Sequence, residues 1–346
     1  LFGNEGYGYY INYNLKGMKE ILIQEYNNLI KKPIKFKKWV PAYKMANSKQ
    51  TKFNWLVDGL FPRTGLAVVY GSPDTGKSTL LRQLCLCVVA SNDWVGFKTK
   101  PEHKRAAYIS TEDDKESLNV MLPKQVKAMK KNMQYDKVHS HNVHFLFQAG
   151  DVLKELTTLL ETGHKFDLII IDCFSDIFTL NNSQANQVRV FLSNFHDLAR
   201  TYETLIIFNH HSKKETENKI PHKNNVSGVG IVSKSRIAME FRKDPLESHK
   251  RHLCVVKGNY LEDKMKENSF CLDFTSGFHF ELMPDDGKPF ESLVLEPEER
   301  ENIDENIYNY VEKNDQVKAA EYFEKSQPTI SRAVTRHKDV LLKRKE

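Results

Sequence analysis

Apolar positions along the chain follow two rhythms. Gly65–Tyr70, Lys104–Ser110, Val143–Phe147, Phe166–Asp172 and Thr204–Phe208 are short runs that are apolar almost throughout. Strands covered on both faces of a parallel sheet read this way. Between them, residues after Lys77 (Leu80, Leu81, Leu84, Leu86), Lys115–Lys131, Val152–Thr162 and Ala185–Arg200 carry apolar residues at helical spacing. Strands alternating with helices predict an α/β fold with a mostly parallel sheet, its ligands at the carboxyl ends of the strands. Beyond residue 232 the rhythm changes. Arg236–Phe241, His252–Lys257 and Phe270–Leu282 read as strands, the last folded by the turn signal Thr275-Ser-Gly277. They are expected to extend the sheet antiparallel at one edge.

The flanks are organised differently. Residues 1–50 form an N-terminal segment with one helical pattern (Leu15, Met18, Ile21, Leu22, Tyr26, Leu29, Ile30), then a basic connector (Lys31, Lys32, Lys35, Lys37, Lys38) read as a solvated linker. The α/β domain is expected over 51–285 and a polar, proline-bearing linker over 286–300. A small helix–turn–helix-like domain follows over 301–346, its third helix starting near Pro328 with Ser326 as cap.

Composition narrows the class without choosing a function. The 346 residues are 40% hydrophobic and 28% charged, as in ordinary globular proteins. A net charge of +6 permits an anionic partner. Five scattered cysteines without a CxxC pair read as reduced core residues of a cytoplasmic protein. No apolar run is long enough to span a membrane. The chain opens on Leu1 rather than methionine, which is expected of a fragment of a longer polypeptide.

Chemistry concentrates at Gly71-Ser72-Pro73-Asp74-Thr75-Gly76-Lys77-Ser78-Thr79, a full match to the phosphate-binding loop G-x-x-x-x-G-K-[ST] between a strand and a helix. Backbone N–H groups of such a loop point at phosphate oxygens, Lys77 would reach the β/γ-phosphates of ATP, and Ser78 would hold Mg2+. Asp172 closes an apolar strand and would position the same magnesium. Glu112 ends another strand, where a carboxylate can take the proton of an attacking water. Asp113 and Asp114 beside it are alternatives, as members of an acidic helix start. His211, next to His210, ends a third strand and could sense the γ-phosphate. No third ligand is spaced to make a metal site of that pair. The loop 212–232, with Lys213, Lys214, Lys219 and Lys223, reads as long, flexible and basic, suited to tracking a nucleic-acid backbone. Arg236 and Lys257 are each candidates for a finger given to a neighbouring subunit's nucleotide, or for surface residues. On the last helix, Arg332 and Arg336 are placed where a DNA-reading helix makes contacts.

Together these motifs resemble the RecA-fold hexameric helicases of the plasmid RepA and bacterial replicative type. The likeness rests on Leu60-Phe-Pro-Arg-Thr-Gly65, Gly71 to Ser78, Tyr108-Ile-Ser-Thr-Glu112, Leu168-Ile-Ile-Ile-Asp172, His210-His211 with Lys214, and Val256-Lys257-Gly-Asn-Tyr260. It implies a RecA-like P-loop NTPase, a homo-oligomeric six-subunit ring, ATP at subunit interfaces, and single-stranded and forked DNA as partner. Carried over, Lys77 and Ser78 bind phosphate and magnesium, Glu112 is the base, Asp172 the second motif and His211 the sensor. Arg236 matches the plasmid-type finger. The bacterial Lys-x-Arg pair is here Lys257-Gly258-Asn259, without the arginine. The organisation also resembles the helicase half of a phage or plasmid primase–polymerase–helicase. An ATP-dependent replicative helicase is therefore expected. The rivals are a RecA-like recombinase or ATP-gated regulator that does not unwind, and a replication-initiator module that uses nucleotide for assembly.

Overall fold

The computed structural model describes residues 15–27, 40–49, 53–129, 139, 141–147, 150–178, 184–216, 218–275, 277–295, 297–323 and 327–344. The basic connector and the Ser326 cap lie outside these residues. The chain divides into two compact units, Leu1–Phe53 and Asn54–Glu346. In the first, helices α1 (15–27) and α2 (Ala42–Ala46) are described, and α1 leaves Leu15, Met18, Ile21, Leu22 and Tyr26 exposed.

In the second unit the strands are β1 (Trp55–Val57), β2 (Phe61–Pro62), β3 (Gly65–Gly71), β4 (Ala106–Ser110), β5 (Val143–Phe147), β6 (Leu168–Asp172), β7 (Leu205–His211), β8 (Ile237–Lys243), β9 (Lys250–Gly258), β10 (Phe270–Asp273) and β11 (Glu281–Met283). The helices are α3 (Lys77–Ala90), α4 (Lys115–Met129), α5 (Val152–Glu161), α6 (Phe174–Ile177), α7 (Ala185–Thr201), α8 (Gly230–Lys234), α9 (Pro297–Val311), α10 (Gln316–Tyr322) and α11 (Gln327–Lys343). β1 and β2 form a small ribbon; the other nine strands form one sheet in the order β11-β10-β9-β8-β3-β7-β6-β4-β5.

Alternate residues of the central strands feed opposite cores, as the strand period of two requires. Ala67, Val69, Ile170, Ile207 and Met239 pack with Leu80, Leu84 and Trp94 on the α3 side. Leu66, Val68, Ile169, Ile171, Ile206 and Phe208 pack with Leu156 of α5 and Val188, Leu192 and Phe195 of α7 on the other. This two-sided burial explains the continuous apolar runs.

The edge expectation needs one correction. β9, β10 and β11 are antiparallel as anticipated, but β8 pairs with β3 in parallel, Ala67 opposite Ile237 and Tyr70 opposite Glu240. The reason is its connection. A parallel neighbour needs a crossover, and the segment 212–236 supplies one through α8. Gly230 at its start lies so close to α7 that a Cβ there would sit 2.7 Å from that of Val188.

Residues 283–300 differ from a solvated linker. Phe290 and Leu293 are buried against Cys254, and α9 already begins at Pro297. α9, α10 and α11 enclose a separate small core of Ile307, Ala319, Ile330, Ala333 and Val334. All five cysteines are free and buried. Among the described residues no helix is long and apolar enough to cross a membrane.

Candidate functional site

Parallel pairing brings the ends of β3, β4, β6 and β7 to one edge. Gly71 is level with His211, and Ser110 with Asp172. The phosphate loop turns there and enters α3. Its glycines are required sterically. A Cβ on Gly71 would lie 2.0 Å from the Phe241 carbonyl oxygen, and Gly76, at φ +92°, would place one 2.8 Å from the Phe280 ring. Left-handed backbone of this kind is the natural ground of glycine. Thr75 Oγ1 and Lys77 Nζ both donate to the Ser72 carbonyl, at 3.0 and 2.8 Å, so the loop is held in its own curl. Burial pulls the Lys77 ammonium below its ordinary range, and Asp172 and Glu112 oppose that shift.

The loop also has an unforeseen wall. Arg251 of β9 donates from Nε to the Thr75 carbonyl at 3.1 Å and lies over the Phe274 ring, which stacks on Phe280. No motif spacing links these residues to the loop, 176 positions away for Arg251.

Asp172 is buried, and both of its oxygens accept hydrogen bonds from neutral donors. Tyr108 Oη donates to Oδ2 and Asn209 Nδ2 to Oδ1. Burial pushes its pKa up, and the hydrogen bonds from Tyr108, Ser78 and Asn209 only partly offset this. Asn209 Nδ2 lies 3.5 Å from Ser78 Oγ, and its Oδ1 is buried with no partner among the described residues. An uncompensated carboxylate, a nearby hydroxyl and an orphaned amide oxygen together fit a hydrated divalent cation. Tyr108 and Asn209 were missed in the sequence. Their only signal there is polarity at the ends of apolar runs.

Geometry separates the three candidate bases. Asp113 pairs with Arg82 at 3.1 Å, and Asp114 caps α4 by accepting from the Ser117 N–H at 2.7 Å. Glu112 instead reaches across the strand ends. Its Oε1 lies 3.3 Å from His211 Nε2 and accepts from the Cys173 thiol at 3.1 Å. Cys173 therefore supplies the third ligating group that the sequence reading found wanting around the histidines. Glu112, Cys173 and His211 bring one ligand atom each within 4.8 Å of one another.

The two histidines divide their tasks. His210 is buried beside the Ser227 carbonyl, and burial lowers its pKa to about 4, so it is neutral. His211 is partly open towards Glu112, and its carbonyl accepts from the Ser227 N–H at 3.0 Å. The loop that follows is not the slack segment expected. Glu240 of β8 accepts from Asn225 Nδ2 at 2.9 Å and the His222 N–H at 3.2 Å. Tyr70 Oη donates to the His222 carbonyl at 2.7 Å, and Arg242 Nη1 to that of Lys219 at 2.8 Å. Buried polar groups on the sheet thus pin the loop, while Lys213, Lys214, Lys219 and Lys223 remain exposed.

Arg236 and Lys257 lie away from this edge, near the other end of β3. Arg236 donates its N–H to the Leu66 carbonyl and lies over Tyr260. Lys257 Nζ donates to the carbonyls of Val232, Ser233 and Ser235 at 2.7, 3.2 and 2.6 Å, which closes the end of α8. Within one chain neither meets the phosphate loop. In the C-terminal unit Arg332 and Arg336 are exposed, but Arg336 is held by Asp304 in a bidentate pair, both bonds 2.7 Å.

Comparison with known proteins agrees with this geometry. The solved ATPase domain of a helicase aligns with a TM-score of 0.51 at 13% identity, over 69% of this chain and 95% of that one. The crystal structure of the RadB recombinase aligns at 0.46 and 13% identity, over 64% and 92%. No curated protein sequence matches the chain. Residues 30–217, more than half of the chain, match the AAA_25 family, described as an AAA domain. With its phosphate loop, Asp172 and sheet order in place, the chain belongs to the AAA_25 family and is a RecA-fold P-loop NTPase.

Proposed function

We propose that the chain is an ATP-dependent DNA translocase and helicase that works as a ring, possessing half of each composite site on one subunit. The observation that carries this reading is the direct link between base and loop. Glu112 faces His211, whose backbone bonds Ser227 at the root of the pinned basic loop. A change at the γ-phosphate position is thereby two residues from a row of exposed lysines.

In this reading the loop 71–79 and Lys77 bind the phosphates. Ser78 and the water shell of Asp172 would hold a magnesium ion, which when bound neutralises charge on the β/γ oxygens. Glu112 accepts a proton from the water that attacks the γ-phosphorus. His211 registers loss of the γ-phosphate and shifts Ser227, and the loop lysines carry that shift to a DNA backbone. Arg236, remote from its own loop, serves the neighbour's nucleotide. Lys257 is the weaker finger, since releasing it would strip three carbonyls of their donor. The helical unit 301–346 provides a second DNA contact through Arg332; Arg336 contributes only if it leaves Asp304.

The test is strand separation on a forked duplex with ATP, wild type against Lys77→Ala. ATP-dependent unwinding by the wild type alone supports the motor. Robust ATP turnover without strand separation would leave a non-unwinding ATPase.

A further inference from the structure

We infer that Glu112, Cys173 and His211 form a binding site for a transition-metal dication of the zinc class, separate from the magnesium position at Ser78 and Asp172. The three side chains come from the ends of three different strands, β4, β6 and β7, so the sheet register itself assembles them. Cys173 Sγ and His211 Nε2 lie 3.1 and 3.3 Å from the same oxygen, Glu112 Oε1. Tetrahedral zinc, with bonds of about 2.0–2.3 Å to oxygen, nitrogen and sulfur, places its ligand atoms roughly 3.3–3.7 Å apart. The cluster matches those edges for two of its three pairs, and the third pair lies within 4.8 Å.

Donor chemistry sets the class of ion. Magnesium takes oxygen ligands. A thiolate with an imidazole and a single carboxylate selects zinc or a neighbouring transition metal. Access is graded in the right sense. The Glu112 and His211 side chains are 46% and 34% exposed, whereas Cys173 is buried at the base of the cluster. An ion can enter past the first two and meet the sulfur last. On binding, the Cys173 S–H bond breaks and its proton leaves to water, a metal–sulfur bond forms, and His211 Nε2 and a Glu112 oxygen each donate a lone pair. No electron transfer is involved. Three protein ligands leave a fourth position open.

The consequence for turnover rests on the proposed role of Glu112 as base. A metal here occupies both that carboxylate and the sensing imidazole, so hydrolysis stops while the phosphate loop still binds nucleotide. Zinc would then act as a reversible brake on the enzyme.

The experiment uses the full chain without nucleotide, titrated with Co2+ as a spectroscopic substitute for zinc and then with Zn2+. The expected result is one equivalent of tetrahedral cobalt with a sulfur-to-cobalt charge-transfer band, displaced by zinc. Cys173→Ser should lose that band, and His211→Asn should weaken binding by at least about tenfold. Only a weak octahedral spectrum in the wild type, or a charge-transfer band undiminished in Cys173→Ser, would overturn the site. Neither result touches the ATPase reading, because no nucleotide is present. In a separate ATPase assay, zinc inhibition of Cys173→Ser equal to that of wild type would overturn the brake.

Discussion

Two aspartates are buried in the same sheet, and their surroundings give them opposite electrostatics. Asp172, in the parallel half, is met by Tyr108, Asn209 and Ser78, all neutral, and its pKa is pushed up by burial. Asp244, in the antiparallel half, is also buried. Burial alone would raise it, but His252 at 2.8 Å, Lys288 Nζ at 2.6 Å and the backbone N–H groups of Glu247 and Leu246 hold it well below the usual carboxylate range. One carboxylate is left wanting positive charge; the other is saturated. The difference separates a site from a staple. Ser269, His252 and Asp244 even form a hydrogen-bonded chain of the kind seen in hydrolases, yet all three are buried and Ser269 also donates to the Lys288 carbonyl at 3.0 Å. Residue types alone would not have told the two apart.

The comparison can be broken most forcefully at the catalytic edge. Glu112→Gln should lower ATP turnover by about 10²–10⁴-fold with nucleotide binding retained, measured by phosphate release and nucleotide titration. Turnover near the wild-type rate would remove Glu112 as base. Next in size is Asp244→Ala, which leaves His252 and Lys288 facing a gap. A loss of about 3–5 kcal/mol in urea unfolding is expected. If stability fell by less than about 1 kcal/mol, the saturated network would not be a staple. Asp172→Asn, by contrast, removes an unfavourably buried charge while keeping the shape, so stability should stay within about 1 kcal/mol of wild type.

The smallest effect is the pH dependence of that stability, and its sign differs between the two groups. The Asp244 contribution is present above the unfolded carboxylate pKa of about 3.9 and is lost as pH falls below it. Asp172, with a raised folded pKa, contributes stability that is present at low pH and lost as pH rises through its folded value. Urea midpoints across the acid range should therefore fall less steeply with acid in Asp244→Asn than in wild type, and more steeply in Asp172→Asn. Parallel profiles for all three proteins would contradict both assignments.

Much of the nucleotide edge was legible before the fold, because local sequence carries it. A phosphate loop is one contiguous motif, and Glu112, Asp172 and His211 end apolar runs that a parallel sheet must align. What stayed hidden depends on pairs far apart in the chain. Tyr108 and Asp172 are 64 positions apart, and Glu240 reaches Asn225 only because β8 lies next to β3. The loop 212–232 was read as flexible from its polarity, yet Glu240, Tyr70 and Arg242 are its anchors on the sheet. Lys257 read as a candidate finger; its amine is committed to the end of α8, an arrangement its strand position did not advertise.

The most direct test of the account is ATP turnover by Asp172→Asn and Asp244→Asn, measured side by side at a temperature where both are folded. The account predicts a loss of at least about 100-fold for Asp172→Asn and a rate within a few-fold of wild type for Asp244→Asn. Equal rates in the two variants would contradict the division between a site carboxylate and a structural one.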